Sequence, residues 1–123
     1  MVSHDTVDKG GYAMANDEQI KIFLHEVKHA DFITIKESGK NRETRLSLGI
    51  TSQDQLEIIR NLKPEEYYRG PDTDRDSKYP GMVWIFKHQY WHNVLYIKLK
   101  EKCIVDGNSV IKCLSIHIDN LVI

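Results

Sequence analysis

Two short strings in this chain hold side chains with the types and spacing of reactive sites. HEVKH, residues 25 to 29, matches H-E-x-x-H, in which two histidines one helical turn apart hold zinc and the glutamate serves as base. LYIKLK, residues 95 to 100, reads as a strand whose alternation sends Tyr96, Lys98 and Lys100 to one side and Leu95, Ile97 and Leu99 to the other. VIKCLSIHI (110–118) alternates likewise, with Leu114, Ile116 and Ile118 opposite Cys113, Ser115 and His117. If helices cover the leucine–isoleucine side, Tyr96, Lys98, Ser115 and His117 gather on an uncovered face. Arg69, Lys87, His88 and His92 fall where they can reach its rim.

A face of that composition suits cleavage of RNA without a metal. The 2′-hydroxyl must lose a proton, the phosphate needs positive charge as it becomes more anionic, and the leaving 5′-oxygen needs a proton. Histidine and tyrosine can handle the protons while lysine and arginine stabilise the charge. Unpaired bases could stack on Tyr68, Tyr90 or Trp91. The same alternation also fits a sheet face that is polar only because it meets solvent.

Helix geometry weighs against the zinc string. At about 100° per residue, with Ile20 as origin, Phe23, Leu24 and Val27 cluster within about 60° of it. His25 and His29 fall about 140° and 180° away, on the side turned to water, whereas catalytic zinc needs a walled cleft and a third ligand. HEVKH therefore reads as a polar helix face. Asp72, Asp74 and Asp76 imitate the start of a calcium loop, but Ser77 stands where glycine is required and Val83 where glutamate is.

Asn16-Asp17 supplies an N-cap for a helix over about 17–30, with Ile20, Phe23, Leu24 and Val27 on one face. FITIK (32–36) reads as a short strand, residues 37–42 as a polar turn, and 43–48 as a brief helical piece closed by Gly49. Thr51 or Ser52 caps a helix over TSQDQLEIIRNL, with Pro64 ending it or opening a further turn. RGPDTDRDSKYPG (69–81) reads as a loop. MVWIFK (82–87), VLYIKLKEK (94–102) and VIKCLSIHI form a meander, with HQYWHN and Asp106-Gly107-Asn108 as connections. The expected fold is α+β, with N-terminal helices on one face of a small, mainly antiparallel sheet.

Composition sets the outer bounds. With 123 residues, 41% of them hydrophobic and 28% charged, the chain suits one globular domain. Residues 1–16 read as a flexible leader and 17–123 as the domain. No apolar run approaches a membrane span or a signal peptide. Two cysteines without metal-ligand spacing suggest reduced thiols and a cytoplasmic location. Residues 1–35 carry three lysines and six acids, whereas residues 78–112 carry six lysines and two acids. That asymmetry suits a phosphate-bearing partner, and a solvated lysine face equally well.

The run LGITSQDQLEIIRNLKPEEYYRGPDTD, followed by MVWIF, LYIKLK and CLSIHI, resembles the motility quorum-sensing regulator (MqsR) family of type II toxin–antitoxin toxins. The resemblance implies a RelE-like RNase fold that cleaves messenger RNA, free or ribosome-associated, without metal or cofactor, and a cognate antitoxin as partner. Arg69 stands where the founding branch has an active-site lysine, Tyr96 matches its catalytic tyrosine, and Lys98 the lysine two residues on. Ile85 replaces the glutamine that follows the tryptophan. His117 rests on strand alternation alone. Catalysis is thus expected of Arg69, Tyr96, Lys98 and His117, and RNA contact of Tyr68, Lys87, His88, His92 and Lys100. The rival reading is a module of the same fold that grips RNA or protein without cutting, and a zinc protease is a remote third.

Overall fold

The computed structural model describes residues 6–7, 13–74 and 81–120. Two short strands, β1 (Thr6–Val7) and β2 (Ala13–Met14), precede helix α1 (Asp17–His29). Asn16 opens α1 with a capping box: its side chain accepts from the Gln19 N–H, and the Gln19 side chain accepts from the Asn16 N–H. Ile20, Phe23, Leu24 and Val27 form the single apolar stripe that their spacing predicts, and all four are buried. At the other end of α1, Arg60 donates to the carbonyls of Val27, Lys28 and Ala30, partners that a helix terminus otherwise lacks.

Strand β3 (Phe32–Ile35), helices α2 (Gly39–Leu48) and α3 (Ser52–Arg60), and a 3-10 turn (Pro64–Glu66) follow. The chain then runs through β4 (Tyr67–Thr73), β5 (Met82–Tyr90), β6 (Asn93–Val105) and β7 (Asn108–Ile118). These four strands form an antiparallel meander, β3 joins β7 in parallel, and β2 adds to β4, giving the order β1-β2-β4-β5-β6-β7-β3. The fold is α+β with helices packed on one sheet face, as the sequence pattern predicts. Phe23 of α1 stacks on Trp84 at 4.5 Å between ring centroids and on Phe86 at 6.0 Å. Ile59 of α3 joins the same cluster with Leu95, Ile97, Leu99, Ile111 and Ile116. Full burial of each such side chain is worth roughly 1.5–3 kcal/mol.

Helix α2 contributes in another way. Beyond Ile35, β7 has no β3 residue beside it, and its backbone meets helix side chains instead. The Ile116 N–H donates to Asn41 Oδ1 at 3.0 Å, the Ile118 N–H donates to Thr44 Oγ1 at 2.9 Å, and the Gln55 amide donates to the Ile116 carbonyl. Asn41, Thr44 and Gln55 are all fully buried. Buried backbone groups demand partners, so these polar residues stand in for a missing strand.

Four expectations are corrected. Of the stretch 69–81 expected as a loop, residues 69–73 belong to strand β4, while residues 75–80 lie outside the described residues. Gly70 and Pro71 look like turn residues, but a Cβ at Gly70 would lie 2.7 Å from the Val83 carbonyl oxygen, so the strand itself needs glycine there. Helix α2 begins at Gly39, capped by the Ser38 side chain, and absorbs most of the expected polar turn. Strand β5 continues through Tyr90, leaving only Trp91 and His92 as the turn to β6. Cys113 lies on the helix-covered face, 1% exposed, because the register jumps between Lys98–Ser115 and Leu99–Cys113. Leu114 is the extra residue of that bulge, and the alternation flips across it. Burial pushes the Cys113 thiol far up, which keeps it protonated and inert. Of the stretch expected as a leader, residues 1–5 and 8–12 lie outside the described residues, while β1 and β2 pair with each other.

Candidate active site

Residues directly opposite one another on neighbouring strands share a face, so the registers arrange the uncovered face in three rows. Lys87, Tyr96 and His117 form the first, and Arg69, Ile85, Lys98 and Ser115 the second. Asp72, Val83, Lys100, Lys112 and Thr34 form the third. Tyr96 and Lys98 are two residues apart on β6, about 6.6 Å along the strand. A bulge in β4 leaves Tyr68 as the extra residue between Tyr67, opposite Phe86, and Arg69, opposite Ile85, and brings its ring beneath Lys87 of the first row.

Contacts within the first row are close. The Tyr96 and His117 rings stack at 5.3 Å with 20° between their planes. Lys87 Nζ lies 3.1 Å from an Asp119 carboxylate oxygen and 4.1 Å from the centre of the Tyr68 ring, an ion pair and a cation–π contact made by one ammonium. Half-burial raises the Tyr96 phenol above its ordinary value; the Arg69 and Lys87 charges oppose that shift, and Asp119 and Tyr68 add to it. Tyr96 therefore holds its proton at neutral pH and is suited to donating it. His117 Nδ1 lies 3.0 Å from the Ile118 carbonyl oxygen. An Nδ1–H donating to that carbonyl leaves the Nε2 lone pair free to accept a proton.

The expected residues divide accordingly. Tyr68, Arg69, Lys87, Tyr96, Lys98 and His117 share the uncovered face. His88 does not: its partners are Leu95 and, through it, Ile118, and its ring meets the Glu66 carboxylate on the helix-covered side. It was expected at the rim as part of a connection; the extra length of β5 restores strict alternation and turns it inward. His92 lies in the β5–β6 turn, four residues or about 13 Å from Tyr96 along the strand. Lys100 belongs to the face by register but is 3% exposed, its ammonium 3.3 Å from Asp74.

Three contributors escaped sequence reasoning. Asp119 continues the Ser115, His117 alternation by one more step, and extending that count would have found it. Asp74 and Lys112 carry no such local signal, since their placement depends on β4 being a strand and on the β7 bulge. The HEVKH histidines are both exposed, with ring centroids 4.4 Å apart. Among the described residues no group of three or more His, Cys, Asp or Glu side chains is placed to hold a metal ion, and no helix is long and apolar enough to cross a membrane. Comparison with protein-family models, with curated proteins and with solved structures found no match.

Proposed function

We propose that this chain is an RNA endonuclease, a toxin of the type II toxin–antitoxin class, acting through Tyr96 and His117 on messenger RNA. The observation that carries the reading is the Tyr96–His117 ring pair set among Arg69, Lys87 and Lys98 on one sheet face. The resemblance to MqsR-family toxins supports it independently through Arg69, Tyr96 and Lys98.

In this mechanism His117 Nε2 takes the proton of the 2′-hydroxyl, whose oxygen attacks the adjacent phosphorus. The bond from phosphorus to the 5′-oxygen breaks, and the Tyr96 phenol protonates that leaving oxygen. The products are a 2′,3′-cyclic phosphate and a free 5′-hydroxyl. Arg69 and Lys98 bear the extra negative charge of the transition state, and such preorganised charge is commonly the largest single catalytic contribution. Lys87 is held back by Asp119, so its part is to set the field at Tyr96. A cytoplasmic site of action, a cognate antitoxin and independence from metals belong to the same proposal.

The test is cleavage of single-stranded RNA by purified protein in EDTA, read as fragments ending in cyclic phosphate. Tyr96→Phe is expected to slow cleavage about 10²-fold or more, the usual scale for losing a general acid, and to relieve growth arrest when the chain is expressed alone. Binding of RNA without fragments from the unaltered protein would favour the non-catalytic module instead.

A further inference from the structure

Two hairpin turns of the sheet are built from opposite kinds of residue. Between Val105 and Asn108 the β6–β7 turn is Asp106-Gly107, both at positive φ, a pair that such a two-residue turn favours. Between Tyr90 and Asn93 the β5–β6 turn is Trp91-His92, and Trp91 takes a φ of 54°. A bulky side chain in the left-handed region costs stability that a glycine would not. Little burial offsets that cost, because Trp91 is 80% exposed. The turn is nonetheless braced. Gln89, on the uncovered face one step beyond Lys87, donates from its side-chain amide to the Trp91 carbonyl at 2.7 Å and to the Asn93 carbonyl at 3.1 Å. Strain kept in this way is characteristic of a contact surface.

We infer that Trp91 is a stacking platform for one unpaired base of the RNA, outside the nucleotides being cut. The inference rests on the proposed RNA cleavage and extends it from phosphate to base. Of the three rows on the uncovered face, the row of Lys87, Tyr96 and His117 is the one nearest this turn. Trp91 lies four residues beyond Lys87, about 13 Å along the strand, a separation within the reach of a single-strand site. An indole offers a wide flat face that stacks on any base, so the platform positions the strand without reading its sequence. Its exposed neighbours in the hairpin are Gln89 and His92, both polar, whereas a protein-docking patch would continue in apolar residues.

The experiment uses 2′-O-methyl RNA of about twelve nucleotides, which binds but lacks the attacking hydroxyl. The chain has two tryptophans and Trp84 is 4% exposed, so emission that iodide can quench comes from Trp91. Bound RNA should lower that emission and shield it from iodide. In Trp91→Gly the RNA should bind roughly tenfold more weakly, the scale of one lost stack. That variant should melt no lower than the unaltered protein, because glycine accepts the turn. Trp91→Phe should keep most of the affinity. Removing the bases of the RNA one at a time should reveal a position whose loss weakens binding to the unaltered protein but not to Trp91→Gly. RNA bound and cut equally well by Trp91→Gly, with the emission undisturbed, would overturn the platform while leaving cleavage at Tyr96 intact. A loss that Trp91→Phe shares in full, with no base position that accounts for it, would overturn it in favour of turn shape alone. An unaltered protein that neither binds nor cuts RNA would remove both proposals together.

Discussion

On the helix-covered side of β5, Phe86 packs between the rings of Phe23 and Tyr67 and has no exposure. One residue further, Lys87 stands on the other side, reaching Asp119 across the Tyr68 ring. Every second residue of the same strands thus serves a different end. The covered face is dominated by apolar and aromatic contacts, whereas the first two rows of the uncovered face hold Arg69, Lys87, Tyr96, Lys98 and His117 partly exposed around a buried Ile85. Stability is concentrated on the first and the proposed cleavage on the second, so substitutions on the two should differ in kind.

The widest separation is expected from Phe86→Ala, which should cost about 3–5 kcal/mol in urea unfolding, as truncation of a buried aromatic does. Lys98→Ala should stay within about 0.5 kcal/mol yet abolish RNA cleavage. Equal destabilisation by both would break the division between the faces. A smaller effect is expected at the border of the covered face: Asn41→Leu leaves the Ile116 N–H without its acceptor and should cost about 1–3 kcal/mol, again visible in urea. The smallest concerns Tyr96. Its phenol is raised on folding, so its neutral form favours the folded chain. That contribution is complete below the ordinary phenol value of 10.0 and is lost as pH rises through the higher folded value. Alkaline unfolding followed from pH 9 upward should therefore steepen in the unaltered protein and less so in Tyr96→Phe; identical curves would mean that the uncovered face contributes no such linkage.

The sequence disclosed what depends on simple periods. Ile20, Phe23, Leu24 and Val27 mark α1, and the alternation in LYIKLK put Tyr96 and Lys98 on one face because that stretch of β6 is regular. Periods fail where the backbone slips. Cys113 was assigned to the wrong face because the bulge at Leu114 has no residue-level signature, and His88 because β5 outlasts its apolar run. Helix α2 was expected only over 43–48, and its first turn escaped hydrophobic pattern, since what the helix buries are Asn41 and Thr44, whose role is hydrogen bonding to β7. Strand β4 was hidden by Gly70 and Pro71, which signal a turn until the closeness of Val83 shows why a side chain is excluded. For the site, residue types were legible and their pairing was not: the Lys87–Asp119 and Lys100–Asp74 contacts join residues distant in sequence.

The side chains of Asn41, Thr44 and Gln55 bear on how copies of this molecule meet at high concentration. A sheet border with open N–H and C=O groups is a template on which a neighbouring chain can lay a strand. Over residues 116–118 that template is already occupied from within by amide and hydroxyl groups. The border that remains on this side is β3, the last strand of the sheet, where Phe32 is 55% exposed. On this margin strand addition is thereby denied over residues 116–118 and confined to the four residues of β3, away from the Tyr96 surface.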